Sequence, residues 1–178
     1  MVAPTNVPAD SAVHAMQPDA DYWDAYEVAL SGTPPSALQA YLEITACTPK
    51  WIDSLMSVRN AVVRLLALKD VGKLGNLPPL SAAAGLGPGD KVGIFTIRSV
   101  CDKEVVLEIL DSHLDVVVSV YLLEGMPARL TVSSMVFYHN WIGRLYMVPV
   151  APMHRIVVRA ILSRSRTPSG APPCMPLV

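Results

Sequence analysis

The chain has 178 residues, 52% of which are hydrophobic, and its formal net charge at pH 7 is −1. This length and apolar content suffice for one domain with a real core, and they exclude a chain that is disordered throughout. The charge is unevenly distributed, because all 15 acidic residues lie at or before Glu124 and six arginines follow it. Oppositely charged halves usually attract each other within one fold. The alternative is an anionic ligand, a membrane surface or a partner near the last helix.

Both ends of the chain are rich in Pro, Ala and Ser and lack hydrophobic periodicity. This composition predicts disordered tails at residues 1–19 and 165–178, with a single folded domain between them at residues 20–164. The basic residues are not interleaved with exposed aromatic residues or Gly-rich loops, so we expect no nucleic-acid partner.

The long apolar segment at residues 141–162 has the length of a membrane span. It carries Arg144, His154, Arg155 and Arg159, however, and a charge in the middle of a span is costly. We therefore expect no transmembrane segment. The start of the chain lacks the basic and apolar regions of a signal peptide, and the three cysteines form no disulfide frame. A cytoplasmic protein fits these features.

The sequence of the first half of the domain predicts one strand and two helices. The strand is expected at residues 24–30. Thr33 as N-cap and Pro34 at the first helical position begin one helix, and Thr48 and Pro49 begin the next. A long Gly/Pro-rich loop follows the second helix.

From residue 91 the hydrophobic period changes to two, which predicts four strands joined by tight connections. Pro149 and Pro152 each remove a backbone donor from the last helix, so we expect it to be bent or split near residues 148–152. The order of elements predicts an α+β fold. A curved antiparallel sheet of about five strands wraps around a long, proline-bent C-terminal helix, with two shorter helices after the first strand.

The connections between strands define the expected register. A two-residue turn at Ser112 and His113 brings two apolar rows side by side: Val105, Leu107 and Ile109 next to Val120, Val118 and Val116. A three-residue loop at residues 125–127 is preferred for the next hairpin, because a two-residue loop would place Leu122 against Arg129. One face of the sheet is therefore apolar, and we expect the last helix to cover it.

Four polar side chains fall where this pattern demands apolar ones: Arg59, Asp111, Tyr138 and His154. Arg59 and His154 lie within the apolar stripes of their helices, whereas Asp111 and Tyr138 end apolar rows of the sheet and are neighbours in the register. A buried charge needs a partner. One interpretation is an Arg59–Asp111 salt bridge, with Tyr138 and His154 satisfied by hydrogen bonds. The other is that the four side chains bind the polar end of a mostly apolar ligand in a cavity.

On the opposite face the register places His113 opposite His139, with Asp115 one position along. Two imidazoles and a carboxylate could bind zinc, but no HxH or HExxH spacing supports such a site, so we expect no metal. Apolar side chains on this face indicate a dimer contact or an additional covering segment: Val117, Tyr121, Met135 and Phe137. The chain also has no GxSxG elbow and no dinucleotide fingerprint, so we expect no cofactor.

Several separated segments resemble an uncharacterised bacterial family of domains of unknown function. They read DYWDAYEV, TPKWIDSLMSVRNAVVRLLALK, GDKVGIFTI, VVLEILDSHLDVVVSV and HNWIGRLYMVPVAPMHRIVVRAIL, and they cover roughly residues 20–163. The resemblance implies a domain that also occurs fused behind short-chain-dehydrogenase-like NAD(P)-binding domains. The order of elements also resembles the START/Bet v 1-like helix-grip fold, in which a curved sheet wraps a long C-terminal helix. The family implies no catalytic residues.

Three functions follow as hypotheses. The first is a non-catalytic module that binds a small hydrophobic or amphipathic molecule between the sheet and the last helix, through Arg59, Asp111, Tyr138 and His154. The second is a polyketide-cyclase or dehydratase-like enzyme, with His154 or Asp111 as general base and Tyr138 at a developing enolate. The third is an interaction protein, either a homodimer or an accessory subunit of an oxidoreductase.

Overall fold

A computed structural model describes residues 1–32, 34, 36–46, 48, 49, 51, 52, 54, 55, 57 and 78–164 of the chain. Its strands are β1 (Ala3–Pro4), β2 (Tyr22–Ala29), β3 (Lys91–Val92), β4 (Phe95–Val100), β5 (Glu104–Leu110), β6 (Leu114–Leu123) and β7 (Arg129–Tyr138). The helices with described bounds are α1 (Ala37–Ala46) and the C-terminal helix (Trp141–Arg164), with 3-10 turns at His14–Asp19 and Leu80–Gly85. Residues 51, 52, 54, 55 and 57 are helical as well, as the second predicted helix requires. Among these residues the seven strands form one antiparallel sheet in the order β1-β2-β7-β6-β5-β4-β3.

The sheet is curved and unclosed, and the α+β class is as predicted. The five predicted strands are present, but the count of about five is too low because β1 and β3 extend the two edges. β1 has only two residues, too few for a period-two pattern to be visible. β3 and β4 both lie within the one strand predicted from residue 91, which turns back on itself at residues 93–94.

The predicted registers of both central hairpins are confirmed. Val105, Leu107 and Ile109 pair with Val120, Val118 and Val116. In the next hairpin Leu122 pairs with Leu130, as the three-residue loop requires, and Tyr138 pairs with Leu114. The apolar residues of successive strands therefore share one face, and most of them are buried in a single cluster with α1 and the end of the C-terminal helix.

The start of α1 differs from the prediction. The Ser36 hydroxyl oxygen accepts a hydrogen bond from the Gln39 backbone N–H at 3.2 Å, which is the contact expected of an N-cap. The helix accordingly begins at Ala37, three positions after Pro34. Most of the second predicted helix, including Arg59, lies outside the described residues.

The C-terminal helix is continuous from Trp141 to Arg164 and contains both prolines, so it is not split at residues 148–152. Each proline leaves one carbonyl without its helical donor, four residues earlier, at Leu145 and Val148. Both of these residues are exposed, so water can satisfy the two carbonyls. The helix is long and apolar enough to cross a membrane by length and composition, with a mean hydropathy of 1.3 over its most apolar window.

The N-terminal segment is packed against the sheet, unlike the disordered tail predicted at residues 1–19. Val7 and Val13 are buried against the apolar residues of the sheet face opposite the C-terminal helix: Ala25, Val106, Val117 and Met135. The additional covering segment expected on this face is therefore the chain's own N-terminal segment. The composition concealed this role, because a few isolated apolar residues among Pro and Ala carry no periodicity. The second predicted tail, at residues 165–178, lies outside the described residues.

Candidate functional site

A cluster of polar side chains lies between the sheet and the C-terminal helix. The pairing of β2 with β7 places Asp24 beside Ser134, on the face that the helix covers. The helix brings His154 to both, with Nε2 3.4 Å from Asp24 Oδ1 and 3.1 Å from Ser134 Oγ. The Tyr22 hydroxyl donates a hydrogen bond of 2.6 Å to Asp24 Oδ2. Four side chains from three elements thus meet at one point of the sheet.

Asp24 is the centre of this polar cluster. The residue is 8% exposed, and its Oδ1 atom is buried and accepts no hydrogen bond within the described part of the chain. Burial alone would raise the pKa of the Asp24 carboxyl group. The neighbouring His154 side chain, helped by the Tyr22 and Ser134 hydroxyl groups, outweighs burial and holds this pKa below its usual range. The Asp24 side chain is therefore a buried anion beside the His154 ring.

The same cluster shifts the pKa of Tyr22. Burial, and then the hydrogen bond to Asp24, raise the pKa of Tyr22 from 10.0 to about 12. Because folding favours the neutral phenol, its contribution to stability is complete below pH 10 and is lost as the pH rises through about 12. We expect the ultraviolet titration of the wild type minus that of Tyr22→Phe to show a tyrosinate transition near pH 12. A difference curve centred at pH 10 would contradict the buried hydrogen bond.

Two arginines connect the helix to the edge of this cluster. The Arg155 Nε donates to the Tyr22 hydroxyl at 3.4 Å, and its guanidinium carbon lies 5.9 Å from the centre of the Tyr22 ring. One turn later, the guanidinium of Arg159 lies 5.2 Å from the ring of Tyr26. These cation–π contacts hold the helix over β2.

Apolar side chains beside the cluster are not fully covered. Val116, Val132 and Ile109 lie on the helix side of the sheet and are partly exposed. On the helix, Val158 and Ile161 are partly exposed as well. A helix that packed tightly on the sheet would bury such residues completely. The polar cluster is therefore bordered by an accessible apolar wall.

Of the predicted polar residues, the three that the structure describes do not meet at one point. His154 belongs to the cluster, but Asp111 lies beside His113, with Oδ2 3.4 Å from Nδ1. Tyr138 ends β7 four residues after Ser134, about 13 Å along the strand, and its backbone N–H donates to Asp21. Arg59, the fourth, is outside the described residues.

Sequence reasoning missed Asp24 as the partner of His154. The signal was present, because Asp24 stands between Tyr22 and Tyr26 in the alternate positions of one strand, which share a face. A carboxylate in that row demands a partner. The pattern could not reveal that β2 pairs with β7 and so places Asp24 beside Ser134.

The residues of the low-ranked zinc hypothesis form two separate pairs. His139 lies opposite His113 as predicted, and its backbone N–H donates to the His113 carbonyl at 3.1 Å. The His139 ring, however, pairs with Asp115 at 3.1 Å, whereas the buried His113 ring faces Asp111 and packs edge-on against Tyr146. Within the described ranges no three His, Cys, Asp or Glu side chains are placed to hold a metal ion.

The cluster contains Ser, His and Asp but does not have the geometry of a nucleophilic triad. In a triad the serine and the carboxylate contact opposite nitrogens of the imidazole. Here Ser134 and Asp24 both face Nε2 of His154, and Ser134 is 2% exposed. The arrangement can hold a charge and exchange hydrogen bonds, but it does not activate Ser134 for attack.

These features define an α+β domain in which a helix covers one face of an antiparallel sheet, with a carboxylate–imidazole pair between them. The chain belongs to the family described as "Protein of unknown function (DUF2867)", which matches residues 16–161. The predicted membership of a family of domains of unknown function is thereby confirmed. Searches of curated proteins and of solved structures found no match to the chain.

Proposed function

We propose that the domain binds a small amphipathic molecule between the sheet and the C-terminal helix, as a binding module of the helix-grip (START/Bet v 1-like) type. The observation that carries this proposal is the position of Asp24. Its Oδ1 atom is buried and accepts no hydrogen bond from the described residues, although an apolar wall beside it is accessible. An unsatisfied buried oxygen is costly, and a ligand that donated a hydrogen bond to it would recover that cost.

The chemistry of Asp24 indicates what the polar end of the ligand contains. A hydroxyl or ammonium group can donate to the Oδ1 atom, whereas a carboxylate would be repelled by it. His154 Nε2 lies 3.4 Å from this atom and 3.1 Å from Ser134 Oγ, so both side chains could exchange further hydrogen bonds with the ligand. The apolar part of the ligand would lie along Val116 and Val132. Such a site combines apolar walls with a few convergent polar groups, which is the usual composition of small-molecule pockets.

Displacement of Nile red tests the proposal. We expect the purified protein to bind this apolar dye, and decan-1-ol and decylamine to displace it at lower concentration than decanoate. Asp24→Asn and Ser134→Ala should each weaken the binding of decylamine about tenfold or more, since a hydrogen bond to a charged group contributes about 1.5–3 kcal/mol.

Glu27→Gln is the matched control for Asp24→Asn, because Glu27 is on the same strand but pairs with Arg129 at the surface. It should leave the affinity unchanged. Three results would overturn the proposal: no binding of dye or amphiphile, equal affinities in the Asp24 and Glu27 variants, or preferential binding of decanoate.

An enzyme of the polyketide-cyclase or dehydratase kind is the second candidate, and the Asp24–His154 pair is the observation that favours it. A carboxylate beside an imidazole orients it and stabilises its protonated form, as a general base requires. In such an enzyme Asp24, rather than the Asp111 expected from the sequence, would be the catalytic carboxylate. The Tyr22 hydroxyl lies next to the Asp24–His154 pair. Mass spectrometry of a bound amphiphile after incubation separates the two candidates, because an enzyme converts it and a binding module returns it unchanged.

A further inference from the structure

The C-terminal helix presents an apolar stripe to solvent. Trp141, Leu145, Val148 and Ile156 are 71%, 57%, 71% and 55% exposed. At about 100° per residue they fall within an arc of about 80°, and they extend along about 22 Å of the helix. Only 17% of the most apolar window of this helix is buried inside the domain. Single exposed apolar residues are ordinary, but an aligned set of this size marks an interaction surface.

Positive charge accompanies the stripe. Arg144 and Arg155 lie along one edge of it, and Arg159 continues it towards the helix end; all three are exposed. The helix contains no acidic residue, and neither does the rest of the chain after Glu124. The surface therefore combines an apolar strip that includes a tryptophan with a row of guanidinium groups, which is the composition of a helix that lies in a membrane interface.

From this combination we infer that the exposed face of the C-terminal helix docks onto an anionic lipid surface. Trp141, Leu145 and Val148 would enter the boundary between headgroups and acyl chains, and Arg144 would contact anionic headgroups. Arg155 and Arg159 would stay over the Tyr22 and Tyr26 rings and add positive charge beside the membrane surface. A second copy of the chain fits less well, because two such helices would bring arginines against arginines with no acidic side chain between them. Crossing the bilayer would require the helix to leave the sheet and would bury Arg155 in the lipid.

Docking in this orientation leaves the domain intact. Met147 on the opposite side of the helix and Leu162 near its end are buried against the sheet cores, and they would keep those contacts. The inference therefore does not depend on the proposed ligand site, although it would place that site close to a source of amphipathic molecules.

Vesicle co-sedimentation of the full chain tests the inference. We expect the protein to bind vesicles of phosphatidylcholine mixed with phosphatidylglycerol at least about tenfold more tightly than vesicles of phosphatidylcholine alone. Raising the salt concentration should weaken this binding, because salt screens exposed charges. The double variant Trp141→Ser, Val148→Ser and the double variant Arg144→Gln, Arg159→Gln should each lower the affinity for anionic vesicles at least tenfold.

Two controls make the result specific. Leu110→Ser removes an apolar side chain that is 64% exposed on a strand, and it should bind vesicles as the wild type does. Asp24→Asn should also keep the vesicle affinity, so a failure of the ligand site and a failure of the lipid surface are distinguishable. Equal binding to neutral and anionic vesicles, or unchanged binding of both double variants, would overturn the inference. A dimer in light scattering that is abolished by Trp141→Ser, Val148→Ser, without vesicle binding, would assign the surface to self-association instead.

Discussion

We expect Glu104→Ala to lower the free energy of unfolding by about 3–5 kcal/mol, because this carboxyl group holds the N-terminal segment on the sheet. Glu104 is 7% exposed, and its Oε1 accepts hydrogen bonds of 2.6 Å from the hydroxyls of both Ser11 and Ser119. Its Oε2 accepts a third, of 2.9 Å, from the Ala12 backbone N–H. Alanine would leave buried donors without an acceptor and open a cavity.

Urea denaturation of the variant measures this loss, and hydrogen exchange at residues 7–13 measures release of the segment. Glu108→Ala is the matched control, since Glu108 lies on the same strand and pairs only at 3.6 Å with Arg98, whose side chain is half exposed. It should change stability by no more than about 0.5 kcal/mol. Equal stability losses in the two variants, or unchanged exchange at residues 7–13 in Glu104→Ala, would show that the carboxyl group does not anchor the segment.

Gly143→Ala has the second largest expected effect, a loss of about 2–3 kcal/mol. Gly143 lies in the first turn of the C-terminal helix, where Asn140 Oδ1 accepts the Gly143 backbone N–H at 3.2 Å. A β-carbon at this position would overlap the carbonyl oxygen of His113, which already accepts a hydrogen bond from the His139 N–H. Alanine would otherwise favour a helix by about 1 kcal/mol over glycine, so a net loss can only come from this close approach.

Gly87→Ala is the control, because a β-carbon there meets no atom within 4 Å. Thermal unfolding of the two variants should separate them by several degrees. If Gly143→Ala were as stable as the wild type, the start of the helix would not sit against the turn that carries His113. The position of the C-terminal helix over the sheet would then lack its main steric constraint.

The central sheet was predictable because two independent signals agree. The period-two rows assign faces, and the lengths of the turns assign partners, so a shift of one residue would have placed Leu122 against Arg129. The other face was only partly predictable. Its apolar residues predicted an additional covering segment. The contact that attaches the N-terminal segment there, however, joins Ser11 to Glu104, which are 93 positions apart. No local pattern relates two such residues.

The candidate site was half predictable for the same reason. His154 stood out because its helical position demands an apolar residue, and the structure places it at the sheet as expected. Its partner depends on which strand lies beside β7, and that choice is made by long-range pairing with β2. The neighbour relation between Asp111 and Tyr138 followed correctly from the register, yet both lie at the end of the sheet, away from Ser134.

Methyl and imidazole NMR during a titration with decylamine most directly tests whether the space between sheet and helix binds an amphipathic molecule. The predicted result is saturable shifts of the methyl groups of Val116, Val132 and Ile109 and of the His154 ring, all with one dissociation constant, and their loss in Asp24→Asn. Shifts confined to the exposed stripe at Trp141 and Val148, or no saturable shift at all, would contradict the account.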